Sequence, residues 1–522
     1  MTRQRKEGSA VPQGRRKSPP TRGAERPGGG KGSPDPQQVC QLELSLATAE
    51  APAREVDGGL GTQQRVSRPN AAPKVRIKDR NDTPATMEEV VDALREAFSN
   101  VARNRGAPGP DGKSIDWVQQ HLEDVLPELS QQLQEGTYQP GNIRRVWIPK
   151  SSGGQRGLGI PDVVDRMVQE AVRLVLEPLY EPTFRPQSHG FRPGRSCHTA
   201  IAEAREHVDA GFGWVVDMDL EKFFDQVNHQ RLLARLAQRV DDRRVLKLIS
   251  RMLKAKVIMP DGVCIFTEQG VPQGGPLSPL LSNIVLDELD AELCQRGHRF
   301  VRYADDCNVY VRSERAGQRV MTSLTRFIEK RLRLRVNQTK SAVARPEERH
   351  FLGFRVCRDE MEGETEVLLS KRSTDRIGER IRELTPRNYG GSLQTCIANV
   401  NRYLVGWFNF FGICTGLETE RQLQRLDAHI RRRLRAIQLK HWKRKRTRAR
   451  KLIQLGVNPK VAWRWVYKGL MSLWALSKTA AVNRGLHNAY FAERGLVSLR
   501  QRWRDKTYPA IVAPEQLCLA LG

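Results

Sequence analysis

Four aspartates in the middle of the chain could carry out metal-dependent chemistry. Asp217 and Asp219 end a β-branched run that begins at Trp214, and the two-residue period of a strand puts both carboxylates on one face. Asp305 and Asp306 stand between two runs of β-branched and aromatic residues, a pattern that predicts a hairpin with the acids at its tip. Because adjacent carboxylates repel and are costly to bury without a partner, a divalent cation would stabilise such a hairpin.

The chemistry that needs such carboxylates is phosphoryl or nucleotidyl transfer. These reactions use two Mg²⁺ ions about 3.5–4 Å apart, and aspartate offers hard oxygen ligands on a short side chain. Asp305 and Asp306 could instead simply form a turn, which aspartate favours. The second acidic segment upstream in the same chain favours the metal interpretation over the turn.

A glycine-rich loop lies between the two acidic segments. Residues 272–276 contain two prolines and two glycines, which predicts a tight loop, and Ser278 begins an apolar helix behind it. Because glycine lets a flat ligand approach the backbone closely, Gln273 could lie against a nucleotide.

The elements that must position these residues are predicted from hydrophobic periodicity and turn residues. The first amphipathic helix begins near Thr83, and a second helix covers residues 115–133. Two strands at residues 145–150 and 156–160 flank a turn at residues 151–154, which predicts a hairpin.

The remainder of the chain divides into two patterns. Helical and strand signals alternate between residues 160 and 355, which indicates a mixed α+β domain, and from residue 370 the signal is nearly all helical. One apolar stripe recurs there at three- and four-residue steps: Leu423, Leu426, Ile430, Leu434 and Ile437. Residues 421–451 contain fourteen Lys or Arg and one acid, and so many like charges favour a polyanionic partner over a merely solvated face.

The composition of the whole chain also suits a nucleic-acid partner. Its 522 residues contain 87 Lys or Arg against 59 Asp or Glu, which gives a formal net charge of +28. The chain has no apolar run of about 18 residues that predicts a membrane span, and no secretory signal follows its basic start. Nine cysteines without a C-x-x-C pair fit a reducing compartment, so we expect a cytoplasmic, nucleic-acid-associated protein.

Taken in order, the motifs resemble those of the group II intron reverse transcriptase/maturase family. The central ones are the Asp217-x-Asp219 strand, the loop at residues 272–275 and the hairpin Tyr303-Ala304-Asp305-Asp306. Further segments similar to family motifs span residues 104–111, 148–150, 154–161, 188–196, 337–341, 351–354 and 402–408.

The resemblance implies an α+β right-hand polymerase, with fingers and palm followed by an all-α thumb/maturase region. The expected parts are a basic, largely disordered extension (1–82), fingers and palm (83–365), a thumb/maturase region called domain X (366–455) and a basic C-terminal extension (456–522). It implies an RNA-directed DNA polymerase that also binds its parent intron RNA. That binding would assist splicing and mobility by target-primed reverse transcription.

The resemblance further implies which residues bind metal. Asp219, Asp305 and Asp306 would hold two Mg²⁺ ions, and the Leu220 carbonyl would complete one metal shell. Asp217 would make a structural contact instead.

The family pattern also assigns residues to the nucleotide and the primer. Lys150 and Arg156 would hold the triphosphate, and Lys340 would either protonate the pyrophosphate or be an ordinary surface lysine. Phe223 would lie under the incoming sugar and select dNTP over rNTP by shape, whereas Phe224 would be an ordinary core residue. The expected primer grip consists of Phe351, Leu352, Gly353 and Phe354.

The expected partners are group II intron RNA, an RNA template with its DNA primer, dNTP and target DNA. We expect no binding to a membrane. The residues expected to bind RNA are Lys443, Arg444, Lys445 and Arg446. The same surface would continue onto the helix face opposite the apolar stripe, through Arg425, Arg432 and Arg435.

One departure from the family pattern concerns the C-terminal end. The sequence has no cysteine pair and no His-rich segment after His350. Its tail, residues 474–479 and 488–496, instead resembles endonuclease-lacking members, which prime from existing DNA ends. Two other interpretations stay open: an RNA-binding maturase with little polymerase activity, and a reverse transcriptase domesticated for repair or phage defence. The intact acids count against a maturase with little polymerase activity. Intron sequence around the gene would count against a domesticated reverse transcriptase. We expect a bacterial source.

Overall fold

The computed structural model describes residues 85–149, 154–358, 363–469 and 471–508. The extension at residues 1–82, Thr83, Lys150 and the turn at residues 151–153 therefore lie outside the described residues.

The N-terminal part is helical. Its elements are α1 (Met87–Asp92), α2 (Leu94–Arg103), α3 (Ile115–Gln120) and α4 (Leu122–Glu135). Thr86 caps α1 in a capping box with Glu89, which fixes where that helix begins. The single helix predicted for residues 115–133 is wrong, because His121 leaves the helical conformation and its ring stacks on Trp117 at 4.2 Å.

The central part alternates strands and helices and confirms the α+β prediction. In chain order its elements are β1 (Ile143–Pro149), β2 (Gln155–Ile160), α5 (Val163–Tyr180), α6 (Cys197–Asp209), β3 (Trp214–Met218), α7 (Phe223–Gln226), α8 (His229–Leu236), α9 (Arg243–Leu253), β4 (Val257–Ile258), β5 (Cys264–Ile265), α10 (Ser278–Gln295), β6 (Arg299–Tyr303), β7 (Asp306–Val311), α11 (Glu314–Phe327), β8 (Ala342–Ala344), β9 (Phe354–Arg358) and β10 (Thr365–Leu369). The predicted strands at residues 145–150 and 156–160 correspond to β1 and β2, which pair antiparallel.

Three sheets organise this part. The first has strand order β2-β1-β4-β5 and forms the fingers, the second has order β6-β7-β3-β8, and β9 pairs with β10 in a hairpin. All pairs of the second sheet are antiparallel, and this palm sheet lies between two hydrophobic cores. Along β3, Val216 and Met218 pack into one core and Val215 packs into the other, as the two-residue period requires.

The C-terminal part consists of helices. They are α12 (Lys371–Leu384), α13 (Leu393–Phe411), α14 (Gly416–His441), α15 (Lys445–Gln454), α16 (Pro459–Tyr467), α17 (Leu473–Leu476), α18 (Ala480–Gly485), α19 (Asn488–Ala492) and α20 (Leu499–Thr507). The predicted apolar stripe of α14 is buried along its whole length. The same core includes Phe491 and Trp503, so it continues across the boundary expected at residue 455. No helix among the described residues is long and apolar enough to cross a membrane.

Candidate active site

The palm sheet brings the two acidic segments together. Antiparallel β3 and β7 pair Asp217 with Asn308 and Met218 with Cys307. One residue beyond the last pair, the chain reaches Asp219 after β3 and Asp306 at the tip of the β6–β7 hairpin, and repulsion from Asp219 helps to raise the pKa of Asp306. The predicted hairpin with acids at its tip is therefore confirmed, and the sheet places the acids of both segments at one edge.

The backbone around Asp219 is held by the segment that follows the π-helical turn after α11. The Asn337 amide donates to the Asp219 carbonyl at 2.8 Å, and the Asp219 amide donates to the Ser341 hydroxyl at 3.0 Å. Lys340, two residues before β8, has its Nζ atom 3.6 Å from a carboxylate oxygen of Asp219. Leu220 forms a bridge with Val336 and its side chain is buried, so only its backbone carbonyl could face a ligand.

Asp217 makes a structural contact, as predicted. Its carboxylate accepts from Nε of Arg349 at 2.8 Å, and a second guanidinium nitrogen of the same arginine also bonds to it. Burial raises the pKa of Asp217, and the attraction of Arg349 works against that rise. Because two hydrogen bonds from Arg349 hold its carboxylate, Asp217 differs from Asp219, whose contact with Lys340 is a longer ion pair of 3.6 Å.

At Asp305 and Asp306, burial outweighs the attraction of the nearby cations. Burial raises the pKa of Asp305, although Arg156 on β2 works against the shift. Partial enclosure, and then repulsion from the other three acids, raises the pKa of Asp306 to about 7, although its side chain still reaches solvent. The same repulsion would be relieved by a divalent cation, whose preferred ligands are carboxylate oxygens.

The carboxylates do not form a preassembled cage. Within the described ranges, no three His, Cys, Asp or Glu side chains converge closely enough to hold an ion together. Lys340 is the cation found against Asp219, and it also lowers the pKa of Asp306. The donor chemistry of Asp219, Asp305 and Asp306 fits a divalent ion, because Mg²⁺ is usually held by one or two carboxylates together with water and substrate oxygens.

We expect pH and metal to act on stability together. Without metal, the Asp306 pKa of about 7 exceeds that of an unfolded aspartate, about 4, so stability falls as pH rises across this interval. A bound divalent cation would offset this loss, so Mg²⁺ should raise the Tm more at about pH 8 than at about pH 5.5. Thermal unfolding in Mg²⁺ and in EDTA measures the effect, which Asp306→Asn should largely remove. Equal Mg²⁺ effects at both pH values would contradict the expectation.

A buried arginine supports the acidic turn from behind, and the sequence analysis missed it. Arg302 on β6 and Asp290 on α10 are both 0% exposed, and two bonds of 2.6 and 2.7 Å join them. Arg302 also donates to the Ala304 carbonyl at 2.8 Å, to Asn283 at 3.0 Å and to Ser188 at 2.6 Å. The available signal was an arginine that interrupts the apolar and aromatic residues of β6.

The segment after α5 closes against the same turn. Asn283 donates to the Gly190 carbonyl at 2.8 Å, and the His189 amide donates to the Arg302 carbonyl at 2.8 Å. A Cβ atom on Gly190 would lie 2.3 Å from the Ala304 amide nitrogen, so a side chain there would displace the backbone of the turn. Residues 188–190 therefore help to fix the position of Asp305.

Comparisons with known proteins agree with this geometry. The family model for reverse transcriptase (RNA-dependent DNA polymerase) matches residues 148–356, and that for the group II intron maturase-specific domain matches residues 374–455. Protein YkfC of Escherichia coli (strain K12) is 33% identical over an alignment of 348 residues that covers 59% of this chain and 89% of YkfC. The chain belongs to the group II intron reverse transcriptase/maturase family.

As a member of this family, the protein is an RNA-directed DNA polymerase with a role in intron splicing and mobility, and its polymerase depends on divalent metal. The group II intron-encoded protein LtrA of Lactococcus lactis subsp. cremoris is 40% identical over 207 residues, 40% of this chain. The chain covers 34% of the length of LtrA. A chain of a solved partial Cas6-RT-Cas1--Cas2 complex is similar over 47% of this chain and 42% of its own length. Its sequence identity is 23% and its TM-score is 0.31.

In this reverse transcriptase, the two neighbouring phenylalanines have the opposite placement from the one predicted. Phe223 is 2% exposed and packs in the core, whereas Phe224 is only partly buried. Lys222 adopts a left-handed conformation at the start of the one-turn helix α7 and turns Phe223 inward. The prediction for Phe223 is therefore wrong, because a ring enclosed in the core cannot contact a sugar. The Phe224 carbonyl accepts from the Val271 amide at 2.7 Å, which places Phe224 beside the glycine-rich loop.

The glycine-rich loop packs against the fingers. The Gly159 amide on β2 donates to the Gln273 carbonyl at 2.6 Å, and Gly274 has a φ of +121°. A Cβ atom on Gly274 would lie 2.3 Å from the Gly159 carbonyl oxygen, so the close approach requires glycine. Arg156 is exposed on the same strand β2, and its positive charge works against the rise in the Asp305 pKa.

The predicted primer-grip residues form a tight turn before β9. Phe351 and Phe354 exchange backbone bonds of 2.9 and 3.0 Å, and Leu352 and Gly353 both have positive φ. The phenylalanines are buried, so only Leu352 and Gly353 at the tip could meet a primer. The Gly353 carbonyl accepts from the Ser373 hydroxyl of α12 at 2.7 Å, which ties the turn to the thumb.

The basic run is divided between α14 and α15. The four cations at residues 443–446 are exposed, as an RNA-binding surface requires. The prediction for Arg432 and Arg435 is wrong: Arg432 lies 3.8 Å from the centre of the Trp474 ring, and Arg435 donates to the Leu486 carbonyl at 2.8 Å. Burial lowers the pKa of Arg435 to about 10. These two side chains hold the C-terminal helices against α14, whereas Arg425 is exposed.

Proposed function

We propose that Asp219, Asp305 and Asp306 hold two Mg²⁺ ions and that the chain extends a DNA primer on an RNA template with dNTP. The observation that carries this proposal is the β3–β7 register, which sets Asp219 beside the turn that contains Asp305. The metal ions would activate the primer hydroxyl and neutralise charge on the leaving pyrophosphate. The Leu220 carbonyl would be a further ligand.

The neighbouring cations would act on the triphosphate. Arg156 is exposed on the finger strand that faces Asp305, and the proposed second triphosphate residue is Lys150. Lys340 lies 3.6 Å from Asp219 in the absence of nucleotide and would transfer its contact to the pyrophosphate oxygens, or donate a proton to them. Gln273 would contact the nucleotide, and Leu352 with Gly353 would contact the primer end.

We further propose that the chain binds its parent group II intron RNA through Lys443, Arg444, Lys445 and Arg446. The complex would then move to target DNA by target-primed reverse transcription, as a cytoplasmic, nucleic-acid-associated protein of a bacterium. The four exposed cations support this proposal, because phosphate contacts supply most sequence-independent affinity for RNA.

Sugar selection is expected to depend on Phe224. Replacing Phe224 with Ala should improve ribonucleotide incorporation relative to deoxyribonucleotide by about ten- to a hundredfold, the range in which a pocket discriminates by shape. Single-nucleotide primer extension with dNTP and rNTP measures the ratio. Phe223→Ala is the matched control: it should cost about 3–5 kcal/mol of folding free energy and leave the ratio unchanged. If the ratio of ribonucleotide to deoxyribonucleotide incorporation changes only in Phe223→Ala, then Phe223 and not Phe224 selects the sugar.

Intron binding is expected to depend on the basic cluster. Changing Lys443, Arg444, Lys445 and Arg446 together to Gln should weaken intron RNA binding and assisted splicing. It should also flatten the log–log salt dependence by roughly one unit per lost phosphate contact. The matched control replaces three exposed cations of α11, Arg315, Arg319 and Arg326, together with exposed Lys330 of the π-helical turn that follows it. If both quadruple variants bind RNA alike, the cluster at residues 443–446 has no specific role.

A further inference from the structure

Residues 187–190 form a strap along β6, which is an edge strand of the palm sheet. The strap and Arg302 exchange two backbone hydrogen bonds of 2.8 and 2.9 Å. The last residue of the strap, Gly190, lies directly against the backbone of Ala304, which precedes Asp305. A displacement of the strap would therefore move the turn that carries Asp305.

The side chain of His189 anchors this strap to helix α6. It is 2% exposed. Its Nδ1 atom lies 2.8 Å from the Thr199 hydroxyl, and its Nε2 atom lies 2.7 Å from a carboxylate oxygen of Glu203. Both partners belong to α6, one turn apart, so the ring is held at both of its nitrogen atoms and fixes the strap relative to the helix.

The hydrogen bonds around His189 indicate its charge. The Thr199 hydroxyl has one hydrogen and donates it to the Ser196 carbonyl at 2.8 Å, so toward His189 this hydroxyl can only accept. The ionised carboxylate of Glu203 also only accepts. Both ring nitrogens of His189 must therefore donate, and the form of histidine with two N–H donors is the positively charged imidazolium.

A second histidine near Glu203 does not compete for this role. The Nε2 atom of His207 is 3.7 Å from the other carboxylate oxygen, and burial lowers the pKa of His207 although Glu203 works against that shift. Glu203 is thus the counterion of His189. The other charged and titratable groups of the surrounding elements are Arg185 and Arg192 beside the strap, Arg299 and Arg302 on β6, Tyr310 on β7, and Asp287, Asp290 and Cys294 on α10.

We propose that His189, as an imidazolium, is a positioning residue for the polymerase: it holds the strap in place and, through the strap, the turn of Asp305. The proposal deepens the proposed polymerase function and rests on it. A neutral ring has only one donor. When His189 loses its charge as the pH rises, Thr199 must either release the ring or withdraw its hydrogen from the Ser196 carbonyl. The Mg²⁺ requirement should then depend on a residue that touches neither metal nor substrate.

Nitrogen-15 NMR of histidine-labelled protein measures the charge of His189 without an activity assay. The resonances of His189 are identified by their absence from His189→Gln. We expect both ring nitrogens to carry hydrogen in the wild type at about pH 6, and the charge to be lost at a lower pH in Glu203→Gln, which removes the counterion. A neutral ring at about pH 6 overturns the proposal, and so does a ring that titrates identically in Glu203→Gln.

Primer extension at varied Mg²⁺ concentration measures the effect on the polymerase. His189→Gln keeps a donor toward Glu203 but does not titrate. The Mg²⁺ concentration that gives half the maximal rate is compared between the wild type and this variant from about pH 6 to about pH 9. The ratio of wild type to variant should rise roughly two- to tenfold with pH, the equivalent of one net hydrogen bond. Effects of pH on the acids themselves cancel in this ratio.

His207→Gln is the matched control, because it removes the neighbouring histidine and leaves the strap anchored. Its Mg²⁺ requirement should follow that of the wild type at every pH. If the ratio for His189→Gln does not change with pH while Asp305→Asn is inactive, the positioning role is overturned and the metal site stands. If Asp305→Asn is active, the proposed metal site fails, and the charge of His189 seen by NMR is unaffected. Equal pH-dependent changes in both histidine variants also overturn the proposal.

Discussion

Replacing Asp305 with Asn should reduce RNA-templated primer extension by roughly a thousandfold or more, because a lost metal ligand removes several kcal/mol of transition-state stabilisation. Asp305 occupies the two-residue turn between β6 and β7, and the pKa of its carboxyl is already raised by burial. The substitution removes a charge that this environment disfavours, so the variant should be at least as stable as the wild type. Loss of activity would then reflect lost chemistry and not lost structure.

The matched control is Asp116→Asn, which removes an exposed carboxylate from α3. It should extend primers at the wild-type rate. Intron RNA binding should be the same in both variants, because neither substitution alters the basic cluster. Full activity in Asp305→Asn would contradict the assignment. Equal loss in both variants would show that the assay responds to net charge alone.

Replacing Arg302 with Met should cost about 3–5 kcal/mol of folding free energy, because it leaves the fully buried Asp290 without its cation. Chemical denaturation measures this change. Arg302 also donates to the Ala304 carbonyl, so the turn before Asp305 loses a restraint at the same time. We therefore expect a weaker response of primer extension to Mg²⁺ as well as lower stability.

The double variant Arg302→Met/Asp290→Leu separates these two effects. Apolar side chains of similar size often replace a buried ion pair without loss of stability, so the double variant should recover most of the folding free energy. Its Mg²⁺ requirement should remain raised, because the Ala304 carbonyl still lacks its donor. If stability and Mg²⁺ response recover together, Arg302 acts only through folding.

Local patterns in the sequence predict the central features of the palm. The alternation around Asp217 and the β-rich runs on either side of Asp305 define a strand and a hairpin, since these elements depend on neighbouring residues. Local patterns do not predict the register between this strand and this hairpin. Both acidic segments need a cation, however, and this shared need was a reason to expect them side by side.

Other features depend on contacts between distant segments. Phe223 and Phe224 are neighbours of the same residue type, and which ring is buried depends on the backbone path after the left-handed residue Lys222 and on packing against distant segments. Arg432 looks like part of a solvated basic face until a helix more than forty residues away places the Trp474 ring against it. A charge pattern predicts that a basic surface is present, but it does not predict which of its cations contact other parts of the protein and which stay exposed to a ligand.

The most direct test of the metal site counts bound ions. Mn²⁺ replaces Mg²⁺ in a complex of the protein with RNA template, chain-terminated primer and the next dNTP, and electron paramagnetic resonance measures bound Mn²⁺ per protein. We expect two ions for the wild type and, for Asp305→Asn, only the ion that the nucleotide itself carries. Equal counts for the wild type and Asp305→Asn would contradict this expectation.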